Sequence, residues 1–368
     1  MNRRRFLQAS AASGAAAVAL SEFPTPAIAQ GAKRWRLVHA YPKGYPVYGT
    51  APEDLARFIT TASDGRLTVE VFGANEIVPA FETADAVESG TVEMGFGTSY
   101  FWRGKVPAMQ FLTGIPFGLV AQEQNAWFAT GGTELAQKAY DELGVKFFLA
   151  GNSGTQMGGW FNREITTPED FSGLKMRMPG MGGEVLTSLG ATIVNLPGGE
   201  LLPAMQSGTI DALEWIGPYL DLAFGFYKVA KFYYYPGWQE PAGINDLMIN
   251  AAAWDGLTDD LKAIVTAAAS MANASVLDQL TGRNPAALAS LVDEHGVELR
   301  RFSDETLAAL ADKSGEILGD LASADPLSRE ILDSILAFRA KALGVTAISE
   351  QAVLMARALD YSFPSPQE

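Results

Sequence analysis

The chain contains no cysteine, so disulfides, thiolate metal ligands and a cysteine nucleophile are all excluded. It contains only two histidines, His39 and His295, and neither sits in a pattern that suggests a Ser-His-Asp triad. Both are expected to be structural. The signatures G-x-S-x-G, H-E-x-x-H and G-x-x-x-x-G-K-[ST] are missing as well. Basic residues are scarce: 27 Lys and Arg face 42 Asp and Glu, a formal net charge of −15. Such a surface repels nucleic acid and anionic head groups, so neither is expected as a partner. An anionic ligand would need a local cation inside a pocket. Beyond the N-terminus no apolar run reaches 18 residues, so no other segment is expected to span a membrane.

What is present begins with an export signal at residues 1–29. Arg3-Arg4-Arg5-Phe6-Leu7 precedes an uncharged, Ala-rich run from Ala9 to Leu20, and Ala27-Ile28-Ala29 offers a small-x-small cleavage site. The adjacent arginines followed by x-Phe-Leu are of the twin-arginine type, which exports folded proteins. Removing this piece takes away Arg3, Arg4, Arg5 and Glu22, moves the net charge to −17 and leaves 339 residues. That length suggests two domains of ordinary size. With 48% apolar and 19% charged residues, the chain is an ordinary globular one.

The chain also repeats itself once. Ala86-Val87-Glu88-Ser89-Gly90-Thr91-Val92-Glu93-Met94 returns as Ala204-Met205-Gln206-Ser207-Gly208-Thr209-Ile210-Asp211-Ala212. Each copy reads as a short helix, a Ser-Gly-Thr stop with glycine in the left-handed conformation, and a buried strand. Strand-like runs precede both helices, Leu67–Phe72 in one copy and Ala191–Leu196 in the other. Strand–helix–strand units build mostly parallel sheets with helices on their faces. The expected fold class is therefore α/β and two-lobed, with a cleft at the C-terminal ends of the strands. Lys33–Ala40 reads as the first strand, Phe147–Gly151 as the strand leading into the second lobe and Leu247–Asn250 as the return crossing. Long amphipathic helices are expected at Asp259–Ser275, Asp304–Leu321 and Ser328–Ala342. The expected division is 30–150 plus 246–280 for the first domain and 151–245 plus 281–325 for the second. Residues 326–368 form a C-terminal helical extension.

Candidate ligand residues lie near the middle of the chain. Arg177 ends the alternating run Lys175-Met176-Arg177-Met178 just before the turn Pro179-Gly180. An arginine there is either solvated or placed to grip a carboxylate with two parallel hydrogen bonds. Glu214 stands beside Trp215 in an apolar run, where burying a charge requires a cation or a hydrogen-bonding partner. Gln156 and Glu214 supply oxygens of the kind hard cations such as Na⁺ or Ca²⁺ prefer. The cluster Tyr233-Tyr234-Tyr235-Pro236-Gly237-Trp238 before Glu240 suits either core or a pocket wall.

These segments together resemble the periplasmic solute-binding proteins of tripartite ATP-independent periplasmic (TRAP) transporters. The motifs are Gln-Met-Gly-Gly-Trp-Phe (156–161), Gly-Leu-Lys-Met-Arg (173–177), Ser-Gly-Thr-Ile-Asp-Ala (207–212), Glu-Trp-Ile-Gly-Pro-Tyr (214–219) and Tyr-Tyr-Tyr-Pro-Gly-Trp (233–238). The most similar branch binds 2-oxo acids and related monocarboxylates together with a cation. The resemblance implies that Arg177 clamps the ligand carboxylate and that Gln156 faces both ligand and metal. It implies a Na⁺ or Ca²⁺ ion held by Gln156, the Glu214 side chain, the Trp215 carbonyl and Glu240. Tyr100-Phe101 and Glu240 would close the pocket. Arg103 and Gln239 depart from aromatic residues expected in that branch, and Arg103 would either greet a second carboxylate or point to solvent. The implied partners are a small carboxylate, the TRAP membrane permease and, through the C-terminal helices with Ile331, Leu332, Ile335, Leu336 and Phe338, a second copy; the same helices would alternatively cover the back of the domains. The competing expectations are an exported carbohydrate-active enzyme using Glu214 and Glu240 as paired carboxylates, and a binding protein for a dicarboxylate, amino acid or sugar.

Overall fold

The computed structural model describes residues 31–364, so the export signal expected at 1–29 lies outside the described residues. Strand β1 (Lys33–His39) alternates exposed and buried positions before ending in a buried run. Helix α1 (Ala51–Ala62) follows, with Pro52, Glu53 and Asp54 in its first turn, where a missing N–H and negative charge are both favourable. Its stripe Ala51, Leu55, Ala56, Ile59 faces the core. Then come β2 (Leu67–Phe72), α2 (Thr83–Glu88) and β3 (Met94–Gly97). β1 pairs in parallel with β2 on one side and β3 on the other. Strand β4 (Val145–Asn152) leads out of this lobe into β5 (Gly159–Phe161) of the second.

The second lobe repeats the plan. β6 (Lys175–Arg177), α3 (Gly180–Ser188), β7 (Thr192–Ile193), α4 (Leu201–Gln206) and β8 (Ala212–Leu213) run in that order, with β6 paired in parallel to β7 and β8. The sheet orders β2-β1-β3 and β7-β6-β8 match. The repeated motif folds identically down to its hydrogen bonds. Val92 N donates to Ala86 O at 3.1 Å, and Ile210 N donates to Ala204 O at 3.3 Å. Gly90 and Gly208 share a φ of 71°, the left-handed helix stop. The pseudo-symmetry is real, although β7 and β8 have only two residues each.

After β8 come helix α5 (Pro218–Phe224), β9 (Phe232–Tyr235), and β10 (Ile244–Asn250), which returns to the first lobe. β10 lies antiparallel between β3 and β4, and β5 lies antiparallel between β8 and β9. Each lobe thus contains a strand at the end of a crossing from the other. Helix α6 (Asp259–Ala289) was expected to stop near Ser275 and instead runs through Pro285. Leu261, Val265, Ala268, Ala272, Val276 and Leu280 keep one buried stripe along it, and that packing outweighs the proline's missing donor. The domain boundary expected at 280 therefore falls inside one continuous helix. Strand β11 (Glu298–Arg301) joins the second sheet beside β9.

The last helices are α7 (Asp304–Ser323), α8 (Pro326–Ile348) and α9 (Glu350–Arg357). Ile331, Leu332 and Ile335 of α8 are buried in the core of the first lobe, each stabilising it by roughly 2 kcal/mol at most. Further along, Leu343, Val345, Ile348, Val353, Leu354 and Met355 are exposed. Among the described residues no helix is long and apolar enough to cross a membrane.

Candidate functional site

The parallel register of β6 and β8 sets Arg177 opposite Leu213, one residue before Glu214. Arg177 Nη1 donates to Glu214 Oε2 at 3.2 Å and also to the Glu214 carbonyl oxygen. Its guanidinium lies 5.1 Å from the centroid of the Trp215 ring. Both Arg177 and Glu214 are 1% exposed, so this is an ion pair without solvent around it. Glu214 stands just beyond the two-residue strand and not inside it.

Gln156 comes from the crossing between β4 and β5, and Glu240 from the one between β9 and β10. Gln156 Nε2 donates to Glu240 Oε2 at 2.6 Å and to Ser153 Oγ at 3.3 Å. Gly243 is required beside them: a Cβ there would lie 2.7 Å from Glu240 Oε2 and 2.9 Å from Gln156 Nε2. A small pocket of about 10 Å³ lies between the lobes, walled by Tyr41, Tyr48, Thr98, Tyr100 and Phe101 from the first. Trp215 and Ile216 close it from the second lobe, with Gln156, Glu240, Gly243 and Ile244 of the crossing segments. The Arg177–Glu214 pair is bonded to itself beside Trp215 and is not part of the cavity wall. A larger groove of about 370 Å³ between α1 and α6 has no buried polar group and only the surface pair Asp54–Arg57 as charge.

The electrostatics are unbalanced. Burial, then the charge of Glu240, pushes the Glu214 carboxyl well above the usual range, against the pull of Arg177. Burial pushes Glu240 up to about 7, opposed by Arg177 and by the Gln156 hydrogen bond. One guanidinium serves two buried carboxyls. Glu214 Oε1, Gln156 Oε1 and Gln239 Oε1 are buried without hydrogen-bond partners. Among the described residues no three His, Cys, Asp or Glu side chains gather as a metal cluster. Two carboxylates with amide and carbonyl oxygens nevertheless form the hard-oxygen set that Na⁺ or Ca²⁺ accepts, and the orphaned oxygens fit such an ion.

Arg103 and the aromatic cluster each had two expected places. Arg103 Nη1 donates to Glu184 Oε1 at 2.9 Å, across from the first lobe to α3 of the second, with both side chains partly exposed. It borders a separate outer cleft of about 240 Å³ and does not line the inner pocket. The aromatic cluster is core: Tyr233, Tyr234 and Trp238 are buried in the lobe interiors, and Tyr235 is exposed. None lines the cavity. Gln239 is buried and donates to Met157 O at 2.9 Å. Tyr41, Tyr48, Thr98, Ile216 and Ile244 are cavity residues that sequence reasoning did not find. Tyr41 and Thr98, just after the C-terminal ends of β1 and β3, stood where a cleft residue is sought.

Two lobes of matching topology, joined by crossing strands around a small charged cavity, define a two-lobed solute-binding protein. The chain belongs to the bacterial extracellular solute-binding protein family 7 (DctP), whose description matches residues 37–325. It is 39% identical to the monocarboxylate 2-oxoacid-binding periplasmic protein of Nostoc sp., over 95% of this chain and 97% of that one. A TRAP periplasmic solute-binding protein from Pseudoalteromonas atlantica, crystallised with bound sodium and pyruvate, superposes with a TM-score of 0.86 at 42% identity, covering 90% of this chain and 100% of that one. A TRAP solute-binding protein from Bordetella bronchiseptica, a mixed-occupancy dimer with copurified calcium and picolinate, gives a TM-score of 0.86 at 34% identity, covering 89% and 99%.

Proposed function

We propose that the protein captures a small 2-oxo acid or related monocarboxylate, together with Na⁺ or Ca²⁺, in the periplasm and presents it to the membrane permease of a TRAP transporter. The observation that carries this reading is the pairing of one buried arginine with two buried carboxyls and three orphaned oxygens beside a small closed cavity. In this reading Arg177 exchanges part of its bond to Glu214 for the ligand carboxylate. Gln156, Glu214, Glu240 and the Trp215 carbonyl hold the cation, which supplies positive charge to both carboxyls and ligand. Tyr100 and Phe101 cover the ligand from the first lobe. Arg103, bonded to Glu184, acts at the rim of the closed cleft.

The sodium–pyruvate and calcium–picolinate complexes of the similar proteins support the ligand class. Binding is favoured over sugar hydrolysis because Glu214 and Glu240 are each engaged by a side-chain donor. Closure follows hinge bending at the crossings β4–β5 and β9–β10, driven by contacts made only when the lobes meet. Native mass spectrometry of gently purified protein, with calorimetric titration of pyruvate with and without Na⁺, tests the assignment. Failure of every 2-oxo acid to bind in either cation overturns it.

A second copy is proposed to cover the exposed apolar residues of α8 and α9, from Leu343 to Met355. The dimeric state of the Bordetella protein supports this. Light scattering of the full-length mature chain, compared with a variant carrying Val345→Asp and Ile348→Asp, tests it. A monomeric wild type overturns it.

A further inference from the structure

Tyr45 lies in the turn between β1 and α1 of the first lobe, and its hydroxyl donates to the carbonyl of Leu220 in the second at 2.7 Å. The same hydroxyl accepts from Trp215 Nε1 at 3.1 Å. Its ring stacks on Phe224 of α5 with centroids 4.3 Å apart. One side chain therefore makes three contacts across the cleft, all to the second lobe. Every partner is buried or half-buried.

Both sides of this contact are held rigid. The turn is tied by Tyr45 N to Pro42 O at 3.1 Å and by Gly49 N to Tyr45 O at 2.9 Å. A Cβ on Gly49 would strike those same atoms at 2.5–2.8 Å, so the turn tolerates no side chain there. Across the cleft, a Cβ on Gly198 would lie 2.4 Å from the Trp215 ring, which leaves the indole against a bare backbone surface. The Arg177 guanidinium lies 5.1 Å from the centroid of the same indole ring.

We propose that Tyr45 is a positioning residue that couples lobe closure to the ligand site: only with the lobes closed does it pair the Trp215 indole, and so fix the ring on which Arg177 rests. This rests on the proposed solute-binding reading. Opening the lobes moves Tyr45 away, returns the Trp215 N–H to water and loosens the stack on Phe224. Contacts confined to the closed state stabilise it selectively and so slow ligand release.

The test is Tyr45→Phe, which keeps the ring and removes the hydroxyl. In the closed state the change leaves the buried Trp215 N–H unpaired and removes the interlobe bond to the Leu220 carbonyl. It should weaken pyruvate binding in sodium buffer by about tenfold or more. The loss should appear in the dissociation rate by stopped-flow tryptophan fluorescence. The melting temperature without ligand should stay at the wild-type value. Because the chain has no native cysteine, spin labels on cysteines introduced at Ala62 and Ser188 read the interlobe distance directly, and the variant should show fewer closed molecules at equal ligand. A dissociation rate within twofold of wild type overturns the proposal. An equal loss of melting temperature with and without ligand also overturns it, because the hydroxyl would then serve both states alike. If wild-type protein ignores pyruvate, the ligand assignment fails on its own, and the same comparison is made with the acid that copurifies.

Discussion

Arg177 and Glu214 meet at 3.2 Å with no solvent around either, held side by side by the short strand ends of β6 and β8 and by the Glu214 N–H donating to the Arg177 carbonyl at 3.0 Å. The pair stores a charge in the closed cleft that a carboxylate ligand and a cation together divide between them. Replacing one partner leaves the other buried and alone, which costs more than the pair itself contributes.

Arg177→Ala should abolish ligand-induced stabilisation, a loss on the order of 2–5 kcal/mol of binding. It should also lower the melting temperature of the ligand-free protein, because Glu214 loses its only guanidinium. Arg177→Lys should restore the latter better than the former, since an ammonium offers charge without the fork. Calorimetry and thermal melts on both variants check this. Wild-type-like affinity in Arg177→Ala removes the residue from the site.

Glu214→Gln should uncouple the cation from the ligand. If both favour the closed state, each raises the affinity of the other by the same factor. Wild-type protein stripped of cations should bind pyruvate more weakly and recover on adding Na⁺ or Ca²⁺, whereas the variant should respond little. Four titrations, each protein with and without cation, decide it. Equal affinities in all four would leave Glu214 as a structural partner of Arg177.

Gly243→Ala is a steric probe of the same site. The added methyl would meet Glu240 Oε2 and Gln156 Nε2, both closer than 3.0 Å, and so push the pair apart. Ligand affinity should fall at least tenfold while the fold persists, as circular dichroism and titration would show. Undiminished binding would mean that the Gln156–Glu240 bond plays no part in capture.

Arg103→Ala should change pyruvate affinity by less than about 1 kcal/mol, because the Arg103–Glu184 pair is partly exposed and lies outside the cavity wall. What little it contributes should fade with added salt. A loss of a hundredfold would place Arg103 on the ligand after all.

His39 governs a pH effect away from the site. Burial holds its imidazole down to about 4, with Glu76 opposing and Lys43 assisting, and both ring nitrogens lack hydrogen-bond partners. The folded state therefore keeps it neutral while the unfolded chain takes up a proton below about 6.5. Its contribution is complete above that value and is lost as pH falls towards 4. At pH 5 the loss is about 2 kcal/mol. The drop in melting temperature between pH 7 and pH 5 should shrink in His39→Leu, and an unchanged drop would disprove the assignment.

Much of the architecture was legible in the sequence because its signals are local. A helix stop needs only Ser-Gly-Thr with glycine in the left-handed region, so two copies of that stop exposed the two lobes. Arg177 before Pro179-Gly180 marked a strand end by composition alone, and the ordered motifs from Gln156 to Trp238 marked the family. Other features depend on residues far apart in the chain. The burial of Arg177 follows from the β6–β8 register, the Arg103–Glu184 bond from the approach of two lobes, and the place of Tyr233 and Tyr234 from β9 lying inside its sheet. The helix expected to end at Ser275 runs on through Pro285 to Ala289, because a buried stripe continues along it. Tyr45 is 175 residues from Leu220. A side chain that acts only across a closed cleft leaves no periodicity, spacing or turn signal in its own neighbourhood, and only the folded chain brings its partners within reach.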